Sequence, residues 1–507
     1  MVNYAERIAK GTATVFLISV VGLFIGYLFR MFLARNLTVE DFGLFYAILA
    51  FIGLTTLFRD LGLNQALVKY IPEFLVKRNF GKIKSSITLV ASIQLIIASL
   101  FILVLFVFSD QIAVNYFHTI SASLPFKILL ISFITSIFIL VFQATFQGFS
   151  KMKLYGMVEP LRISIVYVFA FILIHLGVIG AAYGYLIASV VLPVVLFFFV
   201  VKIFPPFRAK IRLSRDLTKK LFFFGLPVFF GGMASTVLGY TDTFLLTLFR
   251  SLEEVGFYQV ALPTSQLLLF FVSSVGVILF PTVSELWARD KKNILGNGIS
   301  LLMKFSFVLM IPLALLMIAF PEIVIRLFFG ETFLPAVIAL QILSIGAIFF
   351  TLVAISSMTL MGIGKPIINT KIMFLVAFFN LIANILLIPM LGIVGAAITT
   401  TISYLIGSFL LLHFLKKNIK IRIPHIPLLK ASTGGFLTLL ITLFLKGVLI
   451  LHPWIEAFIC LFLGLIFYVF FILLTKTLTR NDLKVLSKIN IPIPDIFVKL
   501  ADRVVRE

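Results

Sequence analysis

Charge is what this sequence has least of. Only 12% of its 507 residues are Asp, Glu, Lys or Arg, about half the share of a soluble domain. A single cysteine, Cys460, excludes an intrachain disulfide and a thiolate-held metal. There is no G-x-x-x-x-G-K-[ST] loop, no H-E-x-x-H pair and no Cys-His cluster. An ATP-driven motor and a zinc hydrolase are therefore excluded, and neither metal nor cofactor is expected. The strand-like alternation of an outer-membrane barrel is also missing. Acids are the scarcer sign, 20 against 42 Lys and Arg, for a net charge of +22. On a soluble chain that balance would suggest nucleic acid. Here the bases sit in short loops between apolar runs, where they meet lipid headgroups and set orientation, so no nucleic-acid partner is expected.

What is present is hydrocarbon. The chain is 61% hydrophobic and holds 59 Phe. Apolar runs of about 20 residues recur throughout, each long enough to cross a ~30 Å bilayer core as a helix. The expectation is an all-α polytopic membrane protein with about fourteen spans, near 12–34, 43–65, 85–109, 124–147, 155–176, 178–201, 220–248, 256–281, 299–320, 334–360, 369–390, 393–415, 428–450 and 454–476. The first run is too long for a signal-peptide core and lacks a clear cleavage site, so it is expected to be retained. Loops after the even-numbered spans are rich in Lys and Arg, as at Lys77, Arg78 and Lys82, and the alternate loops are poor. That alternation puts both termini in the cytoplasm.

The chain repeats itself. F-L-A-R-N-L-T-V-E-D-F-G-L-F, from Phe32 to Phe45, is matched by F-R-S-L-E-E-V-G-F-Y, from Phe249 to Tyr258, with Gly43 and Gly256 offset by 213 residues. G-F-S-K at Gly148 to Lys151 matches G-I-G-K at Gly362 to Lys365, and V-I-G-A-A at Val178 to Ala182 matches I-V-G-A-A at Ile393 to Ala397. Spans one to six and seven to twelve then form two parallel six-helix lobes, related by an axis along the membrane normal. The expected division is an N-terminal lobe over 1–201, a basic linker over 202–220, a C-terminal lobe over 221–415, two extra helices over 416–476 and an amphipathic tail over 477–507 that lies on the membrane.

These motifs carry a resemblance. L-A-R-N-L-T-V-E-D-F-G at Leu33 to Gly43 is similar to the L-A-R-x-L-x-x-E-x-[FY]-G signature of polysaccharide-biosynthesis flippases. R-D-L-G-L-N-Q-A-L-V-K-Y at Arg59 to Tyr70, the stretch from Asp242 to Tyr258, and L-F-F-G-E-T-F at Leu327 to Phe333 also fit. The superfamily is that of multidrug, oligosaccharidyl-lipid and polysaccharide exporters. The resemblance implies an alternating-access carrier in the cell membrane, not an enzyme. Its implied cargo is a polyprenyl- or dolichyl-phosphate-linked sugar, delivered to the outer leaflet.

Ionisable groups inside spans cost about 2.5–3.5 kcal/mol each on insertion scales, so each needs a reason. Arg30 and Asp242 lie about six residues from the outer ends of spans one and seven, roughly 9 Å deep at 1.5 Å per residue. The repeat offset places them at near-equivalent positions, so they are candidates to pair across a cleft. In that reading Arg30 takes the cargo phosphate and Asp242 neutralises it otherwise; snorkelling and a partner within its own lobe are the structural alternatives. Arg59 either faces a cavity or snorkels, and Asp60 either binds a cation or, with Asn64, stabilises the end of span two. Val272 and Ser273 stand at the matching second-lobe positions. Glu159 and Arg162, three apart, share a helix face and are expected to pair. Lys304 either snorkels or contacts phosphate. Asn380 and Asn384 are expected to bond to neighbouring helices.

Four functions compete. A lipid-linked oligosaccharide flippase fits the basic candidates. A drug exporter coupled to H+ or Na+ would favour an acidic site in the first lobe, where the first span has no acid and Asp60 is the one buried candidate in the second. A peptidoglycan-precursor flippase obeys the same physics. A membrane glycosyltransferase would need acidic catalytic residues and substantial structure outside the bilayer, but the longest loops run to only about 20 residues.

Overall fold

The computed structural model describes residues 2–204, 211, 214–419, 421, 423–449 and 452–478, without the side chains of 2–13, 270–278 and 281. The expected amphipathic tail, most of the linker and the side chains of Val272 and Ser273 fall outside that description. Every described element is helical. In chain order the helices are α1 (Val2–Asn36), α2 (Val39–Asp60), α3 (Leu63–Val76), α4 (Phe80–Val107), α5 (Ser109–Asn115), α6 (Ser123–Thr135), α7 (Ile137–Gly148), α8 (Met152–Ile172), α9 (Val178–Ile203), α10 (Arg215–Phe249) and α11 (Leu252–Gln266). They continue with α12 (Leu269–Ala288), α13 (Lys292–Ala319), α14 (Pro321–Phe328), α15 (Val337–Gly362), α16 (Pro366–Asn418), α17 (His425–Val448) and α18 (Pro453–Leu474).

Among the described residues twelve stretches are long and apolar enough to cross a membrane, which makes the chain a multi-pass all-α membrane protein. The count differs from the expected fourteen in two places. Expected spans eleven and twelve run together as the 53-residue α16. A helix of that length would extend about 80 Å, more than twice the bilayer core. It is broken at Gly392, whose φ of 56° and ψ of −133° lie outside the helical region and suit a residue without Cβ. Expected span eight is divided between α11 and α12 by a turn at Leu267 and Leu268.

Two compact units result: Met1–Gln259 with Ala377–Ala396, and Val260–Val376 with Ala397–Glu507. These units do not follow the repeat boundary at 202–220. Within the first, α8 packs between α1 and α9, α6 and α7 lean on α9, and α10 runs along α2 and α3. Within the second, α15 lies against α12 and α13, and α17 against α13 and α18.

The repeated motif is a helix start used twice. Thr38 caps α2 by accepting from the Asp41 amide at 3.1 Å. Ser251 caps α11 by accepting from the Glu254 amide at 3.3 Å. A hydroxyl at the cap satisfies one of the four amides a helix leaves unpaired, and acids in the first turn complement its dipole. Glu40 and Asp41 do so in α2, Glu253 and Glu254 in α11. Glu254 does more. It takes Arg250 Nε at 2.8 Å and the Ile393 amide at 3.3 Å, so one carboxylate ties α10, α11 and the α16 break together.

The two helix starts meet backbone to backbone. A Cβ built on Gly43 would stand 1.8 Å from the Leu252 carbonyl oxygen, and one on Gly256 would stand 2.5 Å from that of Val39. Small residues are what allow membrane helices to approach so closely. Gly43→Leu is therefore expected to destabilise the protein by about 1–3 kcal/mol or to prevent folding. Gly298→Ala, on α13 where nothing lies within 4 Å, is expected to be neutral or slightly stabilising. Thermal denaturation of the two detergent-solubilised variants, followed by size-exclusion fluorescence, separates these outcomes.

Candidate functional site

All but one of the charged candidates fall in the first unit, at two levels. At the upper level, near the helix starts, Arg30 reaches from α1 to α11. Its Nη1 donates to the Gln259 backbone carbonyl at 2.6 Å and to Gln259 Oε1 at 2.9 Å. The guanidinium lies 3.9 Å from the centre of the Tyr46 ring, a cation–π contact that strengthens where water is excluded. Gln259 Nε2 in turn donates to Thr243 Oγ1 at 2.6 Å.

The neighbouring residue is Asp242. Its carboxylate accepts from the Tyr258 hydroxyl at 2.5 Å and from Asn384 Nδ2 at 2.7 Å. Asn384 also donates to Asn380 Oδ1 at 3.0 Å on its own helix, so Asn384 bonds to a neighbouring helix as expected and Asn380 supports it from one turn away. Asp242, Thr243, Tyr258, Gln259, Asn380 and Asn384 are all buried. Arg30 therefore reaches Thr243 through Gln259, one residue along α10 from Asp242, the partner the sequence suggested for it. The reason is local: α11 follows α10 through a short turn and lays Tyr258 and Gln259 beside Asp242 and Thr243.

At the lower level Arg59 is 8% exposed, so it does not snorkel. Its Nη1 donates to the Phe133 carbonyl at 3.1 Å and to Ser136 Oγ at 2.9 Å, and its guanidinium lies 4.1 Å from the Phe133 ring centre. Phe133 precedes the break between α6 and α7. A broken helix leaves carbonyls unpaired, and inside a bilayer a side chain has to meet them. Asp60 faces elsewhere, as adjacent helical residues must. Its Oδ1 accepts from Gln94 Nε2 at 2.9 Å and from the Asn64 amide at 3.1 Å. Arg59, Asp60 and Asn64 line a cavity of about 530 Å³ bounded also by Gln143, Gln147 and Ser235.

The remaining candidates are dispersed. Glu159 and Arg162 form a bidentate pair on α8, Nε to Oε2 at 2.9 Å and Nη2 to Oε1 at 2.5 Å. Lys304, on α13 in the second unit, is 7% exposed, enclosed by protein rather than extended to the interface. Outside the spans, Lys77 and Lys220 hydrogen-bond Glu73 and hold its carboxyl below the usual range. Sequence reasoning missed Gln259, Thr243, Gln94, Gln143 and Gln147. The available signal was an amide in an otherwise apolar helix, most visible in F-Q-A-T-F-Q from Phe142 to Gln147.

The fold is that of the lipid II flippase MurJ in an inward closed conformation, which matches with a TM-score of 0.73 at 18% identity, over 91% of this chain and 98% of that one. The chain belongs to the polysaccharide biosynthesis protein family, whose model matches residues 8–287. The MatE family model matches 227–386. An uncharacterized membrane protein of Methanocaldococcus jannaschii is 37% identical over 75% of this chain and 78% of its own length. A protein named as the probable low-salt glycan biosynthesis flippase of Haloferax volcanii is 24% identical over 95% of this chain and 99% of its own.

Gln259 joins the cation to the acid's surroundings. Gln259→Leu removes a side-chain acceptor from Arg30 and a donor from Thr243, at an expected cost of about 1–3 kcal/mol. Its midpoint of thermal unfolding in detergent should fall by several degrees, and an unchanged midpoint would show that the relay contributes nothing.

Proposed function

We propose that this protein is a flippase that carries a lipid-linked oligosaccharide or polysaccharide precursor from the inner to the outer leaflet by alternating access of two six-helix lobes. The cargo is a polyprenyl- or dolichyl-phosphate-linked sugar. The membrane is the cell membrane, both termini are cytoplasmic, and an H+ or Na+ gradient or the cargo's own distribution drives the cycle. No chemical step is needed, so the chain acts as a carrier and not as an enzyme.

One observation carries this reading. Arg30 and Arg59 sit inside apolar spans and are met by carbonyls, an amide, a hydroxyl and ring faces. Among the described residues neither guanidinium is hydrogen-bonded to a carboxylate, so neither is neutralised in an ion pair. A retained cation within the bilayer favours an anionic cargo and opposes a cationic drug. Family membership and the full-length match to a protein named as a glycan flippase point the same way. Arg30 is the assigned phosphate contact. The buried Lys304 is a second basic candidate, and Asp60 and Asp242 are candidates for coupling. Cation-coupled drug export and peptidoglycan-precursor flipping are the rival readings within the superfamily.

The test is reconstitution into liposomes with phosphate-linked glycolipids and, separately, cationic dyes. The wild-type chain is expected to move the glycolipid and not the dye, and Arg30→Glu to slow glycolipid movement at least tenfold, on the order of 1.4 kcal/mol or more in transition-state terms. Dye export without glycolipid movement, or full activity in Arg30→Glu, would overturn the reading.

A further inference from the structure

The lower cavity differs from the upper network in its chemistry. Around Arg30 the arrangement offers a cation. Around the cavity the two charges, Arg59 and Asp60, are of opposite sign and adjacent in sequence. The rest of the polar lining is neutral: the amides of Asn64, Gln143 and Gln147 and the hydroxyls of Ser235 and Thr236. Gln143 and Gln147 are four apart on α7 and share one face.

Two polar atoms of the lining residues have no partner among the described residues, Arg59 Nε and Asn64 Oδ1. Arg59 is more than nine-tenths buried. One orphan is a donor and the other an acceptor. A buried polar atom left unpaired is costly, so an orphan of each kind asks for a ligand that both gives and takes hydrogen bonds.

A phosphate does not fit that demand. Its oxygens mainly accept, and it would bring negative charge to the Asp60 carboxylate. A sugar hydroxyl donates one bond and accepts others, and a side-chain amide is its complement, with a carbonyl and an NH2 side by side. The ring faces of Tyr155 and Phe229, also on the cavity wall, suit the apolar faces of a sugar. A volume of about 530 Å³ lies within the range of small-molecule sites, roughly 300–1,000 Å³.

We propose that this cavity receives the glycan of the cargo, as a neutral polyhydroxylated sugar, and that Gln143, Gln147 and Asn64 select it by hydroxyl pattern while the phosphate is held at Arg30. The assignment rests on the flippase reading above and adds the division of the cargo between two levels of one unit. In it Arg59 is a positioning residue: it holds the α6–α7 break and turns one edge toward the cavity.

The full-length chain in proteoliposomes provides the test, with three probes: a polyprenyl-phosphate-linked oligosaccharide long enough to span the two levels and ending in glucose, the same oligosaccharide ending in N-acetylglucosamine, and sugar-free polyprenyl phosphate. Gln143→Leu combined with Gln147→Leu is expected to slow both sugar-bearing probes at least tenfold and to leave the sugar-free probe within twofold of wild type. Arg30→Gln is expected to slow all three. A second readout does not depend on transport. In a chain carrying Cys460→Ala and Gln147→Cys, glucose-bearing lipid should slow maleimide labelling at least fivefold, and inorganic phosphate should not. Equal slowing of sugar-free and sugar-bearing probes by the double substitution, or protection by inorganic phosphate, overturns the glycan assignment and leaves the flippase reading standing. Failure of the wild-type chain to move any probe removes the flippase reading and the assignment with it.

Discussion

A guanidinium inside an apolar helix bundle must be met by acceptors, because water is not there to meet it. This constraint organises the first unit. Arg30 is met by the backbone and side chain of Gln259, which requires α11 to lie beside α1. Arg59 is met by the Phe133 carbonyl and the Ser136 hydroxyl, which are at hand because the segment from Ser123 to Gly148 is two helices, not one. An unmet donor at either place would cost about 1–3 kcal/mol. The break between α6 and α7 and the position of α11 are thus not incidental to the charges they serve.

The acid is handled the same way. Asp242 accepts from the Tyr258 hydroxyl and the Asn384 amide, so neutral groups on two neighbouring helices fill part of its hydrogen-bonding capacity. The same unit therefore holds a basic place on Gln259 and an acidic place on Tyr258, two residues adjacent on α11.

Most of the fold was legible in the sequence. Apolar runs of this kind without strand alternation cross a bilayer as helices, and expected span ends fall within a few residues of α9, α15 and α18. What was not legible is where a span breaks. Gly392 marks one break by its type, but Ser136 and Leu267 are ordinary residues, and at Ser136 the carbonyl beside the break is met by the distant Arg59, which no local pattern announces. For the site, charged residues stood out because charge is scarce. Their partners did not, because an amide or a tyrosine in a helix carries no sign of which helix it will face. The offset between Arg30 and Asp242 could not show that Gln259 would be the residue Arg30 bonds.

The meeting of the two helix starts has a further consequence. Gly43 faces Leu252, and Gly256 faces Val39. Shifting the first pair by the repeat offset of 213 residues yields the second, with the roles exchanged. Residue i touches j, and the equivalent of i touches the equivalent of j. That reciprocity belongs to an isologous contact, the kind two identical subunits make about a two-fold axis. At this one place the chain makes with itself the contact that two copies of one motif would make across a two-fold axis.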